Sequence, residues 1–229
     1  MAFMKTLRYL TGLIVMAIIL FLTYRYGHKS LPAMTGPVRS LPATPAQSST
    51  STPSLPAFSP NLQPPLALPI NNAMTRVTKK PFGIYITPKT SPVQPERFTG
   101  FHTGADFETI PAEQKIDVPI YAICDGKLLM KKYASGYGGV AVESCTIDSN
   151  PVTVIYGHLR LASVKPNPGD KLDAGEQIAV LGTGYSSETD GERKHLHLGI
   201  HKGSAIDILG YVQKQTDLNG WIDPLSVLK

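Results

Sequence analysis

From about Thr78 to the C-terminus, no stretch of the chain sustains the 3.6-residue apolar period of an amphipathic helix. Strand-length runs rich in Val, Ile and Tyr take its place: PFGIYITP, DVPIYAICDG, KLLMKKY, GVAVESC, VTVIYGHL, EQIAVLG and HLHLGIH, separated by Gly, Asp-Gly and Pro. With turn signals roughly every 8–15 residues, this texture predicts an all-β, antiparallel domain over residues 78–229. No internal sequence repeat is visible.

The preceding residues cannot belong to such a domain. Tyr9 to Tyr24 reads YLTGLIVMAIILFLTY, sixteen residues without a charge, bracketed by Lys5 and Arg8 on one side and Arg25 and Lys29 on the other. A helix of this length covers about 24 Å, and snorkelling arginines with interfacial tyrosines extend its reach toward the ~30 Å hydrocarbon core. One transmembrane anchor within residues 1–30 is therefore expected. A cleaved signal peptide is the alternative, although no small-x-small site follows directly. The flanking charges are too evenly balanced to set an orientation. In either case the β domain is expected outside the cytoplasm, in the periplasm or at the cell surface: membrane-anchored, or secreted if the N-terminal segment is removed.

Of the twenty prolines, ten fall between Pro32 and Pro69. Residues 31–77 are otherwise rich in Ser, Thr and Ala, with no period of two or 3.6. Such a segment buries too little apolar surface to offset its ordering entropy, so a disordered, partly extended linker is expected there.

Charge is divided along the same lines. All 17 acidic residues lie at or beyond Glu96; before it stand nine basic residues, and after it 13 basic against those 17, a formal −4. The overall +5 thus belongs to the N-terminal third. The β domain has no basic stripe interleaved with aromatics, which excludes a nucleic-acid-binding surface driven by counterion release.

Five of the six histidines, His102, His158, His195, His197 and His201, lie in the β domain. In a strand reading HLHLGIH, His195, His197, Gly199 and His201 share one face, and Leu196, Leu198 and Ile200 the other. The leucine face belongs on a core, the histidine face on a polar surface or cleft. HTGAD at 102–106 adds a His and an Asp about a glycine turn. Taken with His197 they make two imidazoles and one carboxylate, the donor set of a catalytic zinc with its fourth position left for water. Each motif alone is weak, since H-x-x-x-D is common and a half-buried strand carries surface histidines without a metal.

HTGAD, YGHL at 156–159 and HLHLGI at 195–200, in that order, resemble the LytM- and lysostaphin-type zinc endopeptidases that cut peptidoglycan peptides. VPIYAICDGKLL and PGDKLDAGEQIAVLGTGYSS are similar to the segments that precede the motifs in that family. The resemblance covers roughly residues 80–229. It implies an all-β LytM-like domain of duplicated hybrid motif with an open groove, and one zinc ion per chain held by His102, Asp106 and His197. It also implies that His158 and His195 are catalytic histidines that do not bind the metal. No H-E-x-x-H glutamate base is present, and spacing does not tell which histidine is the base. Peptidoglycan is the implied substrate. The rival from another class is a non-catalytic relative that binds peptidoglycan or activates an amidase; such relatives typically lack ligands that are present here. A regulatory partner is compatible with either.

ETDGERKH, between Ser187 and the last motif, is longer and more charged than the family's usual link. It is expected to wall one side of the groove, with Glu188 and Glu192 as solvated loop charges. Tyr156 and Tyr185 are possible groove-lining residues, with packing the alternative. GYGG at 136–139 reads as a hairpin turn. Cys124 and Cys145 suit a disulfide outside the cytoplasm, or two buried thiols.

Overall fold

A computed structural model describes residues 66–228. The expected anchor in residues 1–30 and the linker up to residue 65 lie outside the described residues. Among the described residues no helix is long and apolar enough to cross a membrane.

Twelve strands are described: β1 (Tyr85–Ile86), β2 (Gly100–His102), β3 (Gly104–Glu108), β4 (Pro119–Tyr121), β5 (Gly126–Ala134), β6 (Gly138–Ile147), β7 (Asn150–Leu159), β8 (Lys171–Leu172), β9 (Gln177–Val180), β10 (His195–Lys202), β11 (Tyr211–Val212) and β12 (Trp221–Ile222). One short helix, α1 (Pro224–Val227), and several short 3-10 segments complete them. Every pairing is antiparallel. The main sheet runs β12-β10-β7-β6-β5-β8, and β3 shares with β12 the outer edge of β10. Two small sheets, β1-β2-β11 and β4-β9, stand beside it.

Alternation along β10 does what the sequence pattern predicts. Leu196, Leu198 and Ile200 are fully buried in the main core with Phe107, Ile120, Tyr156 and Leu172. Burying each such side chain contributes roughly 1.5–3 kcal/mol, so the leucine face fixes which way the histidines point. Cys124 and Cys145 form a disulfide, their Cα atoms 6.0 Å apart. GYGG closes the β5–β6 hairpin.

Residues N-terminal of the boundary read at residue 78 also pack on the domain. Ile70 and Ala73 are fully buried in the main core. Ala67 N–H donates to Ile123 O, and Arg76 makes a fork to Glu113 at 2.7 and 2.8 Å. Composition hides this, because two apolar residues after a proline run carry no period of their own.

Candidate metal centre and groove

β3 and β10 pair in a register that sets Asp106 opposite His197 and Glu108 opposite His195. Side chains directly across a sheet lie close enough to interact, so this register brings a carboxylate and an imidazole together. Gly104 makes the approach possible: a Cβ there would sit 2.3 Å from Leu198 O and 2.8 Å from the His197 ring. His102 enters from β2, held on both sides by the preceding segment. Its backbone pairs with Ile84 O and Gly83 N–H, and its Nδ1–H donates to Pro81 O at 3.1 Å.

His102 Nε2, His197 Nδ1 and Asp106 Oδ1 converge. The separations are 3.0 Å between the two nitrogens and 3.2 Å from each nitrogen to the oxygen. All three side chains are buried. An ion with bonds of about 2.0–2.1 Å and tetrahedral angles keeps its ligand atoms about 3.3 Å apart, so the triangle is of ligand size. Because a carbonyl only accepts, His102 carries its proton on Nδ1 when neutral and turns a lone pair toward the carboxylate. Two lone-pair centres that close repel each other unless a cation lies between them. Burial lowers His197 to about 4, which leaves its ring neutral and able to bind a metal at pH 7. Burial would raise the Asp106 carboxyl, yet the positive charge and N–H donors that His195 and His102 offer when protonated hold it well below the usual range. The donor set therefore fits a divalent metal ion.

His158 reaches the site through a bulge. The β6–β7 register slips so that Gly139 faces Leu159 while Val140 faces Gly157, leaving His158 unpaired with φ at +61°. That left-handed conformation is costly for a residue with a side chain, and bulges of this kind re-aim side chains at functional sites. Without it, alternation would put His158 on the core face with Tyr156. Its ring lies 4.2 Å from that of His195, centroid to centroid, and burial followed by the neighbouring His195 depresses its pKa well below the ordinary histidine value. His195 Nδ1–H donates to Arg193 O at 2.9 Å, which leaves Nε2 as the lone-pair nitrogen, 3.3 Å from Asp106 Oδ2.

A groove of about 580 Å³ runs over Asp106, His158, His195 and His197. The two tyrosines named from sequence are not part of it. Tyr156 is fully buried on the core side of the bulge, its hydroxyl donating to Glu143 and accepting from Ile123 N–H. Tyr185 is 69% exposed and lines a separate recess beside Lys79 and Lys194. The groove instead takes Tyr137, from the GYGG hairpin, and Tyr211. Tyr137 is buried with its hydroxyl 3.3 Å from His197 Nε2. The Tyr211 ring lies 5.3 Å from His102, and its hydroxyl accepts from Lys80, which is also ion-paired with Glu96 in a buried position. Nothing in the sequence marks these partners except the small residues that admit Tyr137: at Gly157, a Cβ would meet the tyrosine ring at 2.4 Å.

The ETDGERKH loop is tied down by ion pairs, with Glu188 still partly exposed and Glu192 buried, not solvated as expected. Glu188 pairs with Arg160 and Glu192 with Arg97. Asp190 accepts from Tyr133 and from Gly136 N–H. Lys194 donates to Glu113 O and Ile116 O. Arg193, which sequence reading passed over, is nearly buried against Asp106 and Glu108.

Residues 100–208 match the profile of peptidase family M23. Among solved structures, Csd3 of Helicobacter pylori aligns at 19% identity over 72% of this chain and 35% of its own, with a TM-score of 0.45. The chain thus spans about a third of that protein. The catalytic domain of lysostaphin, the antimicrobial peptidase of Staphylococcus simulans, aligns at 22% identity over 64% of this chain and 86% of its own, TM-score 0.43. LytU aligns at 23% over 65% and 81%, TM-score 0.44. No curated protein matches the chain.

Proposed function

Because residues 100–208 match the profile of peptidase family M23, we propose that this chain is a zinc-dependent endopeptidase that hydrolyses peptide bonds in peptidoglycan stem or cross-bridge peptides. The observation that carries the reading is the convergence of His102, Asp106 and His197 on one point beneath a groove that also presents His158 and His195. In this reading His102 Nε2, Asp106 Oδ1 and His197 Nδ1 hold the ion. A bound zinc supplies Lewis acidity, polarising a carbonyl and lowering the pKa of water to about 7.

The chain's own residues do the rest. Pro81 O orients His102, and Tyr137 stands at the far nitrogen of His197, the outer contacts that aim imidazole ligands. His195, with Nδ1–H bound to Arg193 O and Nε2 3.3 Å from Asp106 Oδ2, is placed to take a proton from water. His158, kept neutral by burial, is placed to donate to the oxyanion or the leaving amine. The groove gives room for an extended peptide. The expected N-terminal anchor and linker suit a domain tethered outside the cytoplasm within reach of the wall. The disulfide is consistent with that location.

The test is release of soluble muropeptides from purified peptidoglycan by the full-length protein, with chelation and zinc re-addition. Release that stops on chelation and returns with zinc supports the reading. Co-sedimentation with peptidoglycan without any release, at full zinc loading, replaces it with a binding or amidase-activating role.

A further inference from the structure

We infer that Arg193 is a positioning residue for the metal centre, holding the outer oxygen of Asp106 so that only the inner oxygen faces His102 and His197. The inference rests on the metal-centre reading above and adds a part that the three-residue donor set does not contain. Asp106 is buried with its two oxygens differently engaged. Oδ1 faces the two imidazole nitrogens at 3.2 Å, and Oδ2 accepts from Arg193 Nη2 at 3.0 Å with His195 Nε2 3.3 Å away.

Arg193 is itself locked. Its Nε donates to both oxygens of Glu108 at 3.0 Å, and Nη2 reaches Glu108 Oε1 at 2.5 Å. Glu108 stands two residues beyond Asp106 on the same face of β3, and Arg193 two residues before His195 in line with β10. A planar guanidinium bridges two carboxylates in this arrangement; an ammonium, as a point charge, offers no such fork. A carboxylate with one oxygen so held would bind an ion through the other alone. The backbone of the same residue fixes the His195 tautomer through Arg193 O, so one position sets both a ligand and its neighbouring histidine. Side-chain substitution touches only the first role.

The test uses the full-length protein and three readouts: zinc affinity by competition with a chromophoric chelator, the visible spectrum of the cobalt(II)-loaded protein, and the Tm of the metal-free form. Arg193→Lys is one variant. The double variant Arg193→Met with Glu108→Gln is the other, since it leaves no uncompensated charge at Glu108. Both are expected to keep the metal-free Tm within a few degrees and to bind zinc about 10–100-fold more weakly, the lysine variant less affected. Their cobalt spectra should lose intensity as Asp106 turns to bind through both oxygens and coordination rises from four to five. Wild-type affinity together with an unchanged cobalt spectrum in both variants overturns the inference while leaving the metal centre standing. Failure of the wild-type protein to bind zinc removes the metal centre and the inference with it.

Discussion

Asp106 and His197 are direct cross-strand partners on β3 and β10, and Asp106 Oδ1 and His197 Nδ1 lie 3.2 Å apart. The proposed ligand pair is therefore fixed by strand register, with the leucine face of β10 buried against the core to prevent slippage. Only His102 comes from outside the main sheet, and the 80–84 segment holds it on three backbone atoms.

A site built on strands should take up metal without refolding, and the metal should stabilise the fold by mass action. With free zinc at about 100 times its dissociation constant, the gain is ~2.7 kcal/mol, or roughly 5–10 °C in Tm for a domain of this size. Scanning calorimetry with and without chelator should show that difference in the wild-type protein. Asp106→Asn should show almost none.

The packing of residues 66–77 predicts that they are part of the folding unit. Ile70→Ala should destabilise the domain by about 2–4 kcal/mol in urea unfolding, as for any fully buried aliphatic side chain. A change below about 0.5 kcal/mol would place this stretch with the linker after all.

Glu143 lies in the core, and burial pushes its carboxyl up to about 8, although Tyr156 donates to it. The folded protein thus holds a proton there that the unfolded chain releases near pH 4.5. The associated stability is complete below about pH 4.5 and is lost as pH rises through about 8. Between pH 5 and 8.5 the wild-type protein should lose a few kcal/mol that Glu143→Gln does not lose. Parallel pH profiles for the two proteins would contradict this reading of the core carboxyl.

Tyr137→Phe keeps the ring and removes the hydroxyl beside His197 Nε2. Zinc affinity should fall up to about tenfold with Tm nearly unchanged. Gly157→Ala, whose methyl group collides with the Tyr137 ring, should cost more affinity as well as stability. Isothermal titration of both variants separates the hydroxyl from the packing.

The sequence carried the all-β architecture and the division of β10 into a core face and a histidine face, because period-two alternation survives in one strand read alone. It was misleading at YGHL. Alternation puts Tyr156 and His158 on the same side, and only the slipped register at Gly139 and Val140 turns His158 into the groove and leaves Tyr156 in the core. The roles of Arg193 and Tyr137 were invisible for a different reason: GYGG read only as a turn and ETDGERKH only as a wall, and each residue acts through a partner far away in sequence, Asp106 and His197. The Lys80–Glu96 pair that supports Tyr211 is hidden in the same way, since burial of a charge is a tertiary event.

The most direct measurement is zinc content beside muropeptide release for the full-length wild type, His197→Ala, His195→Ala and His158→Ala. The account predicts about one zinc and release of peptides for wild type, loss of both for His197→Ala, and retained zinc with turnover reduced about 10²–10⁴-fold for His195→Ala and His158→Ala. Full turnover by zinc-free His197→Ala, or by either of the other two variants, would contradict it.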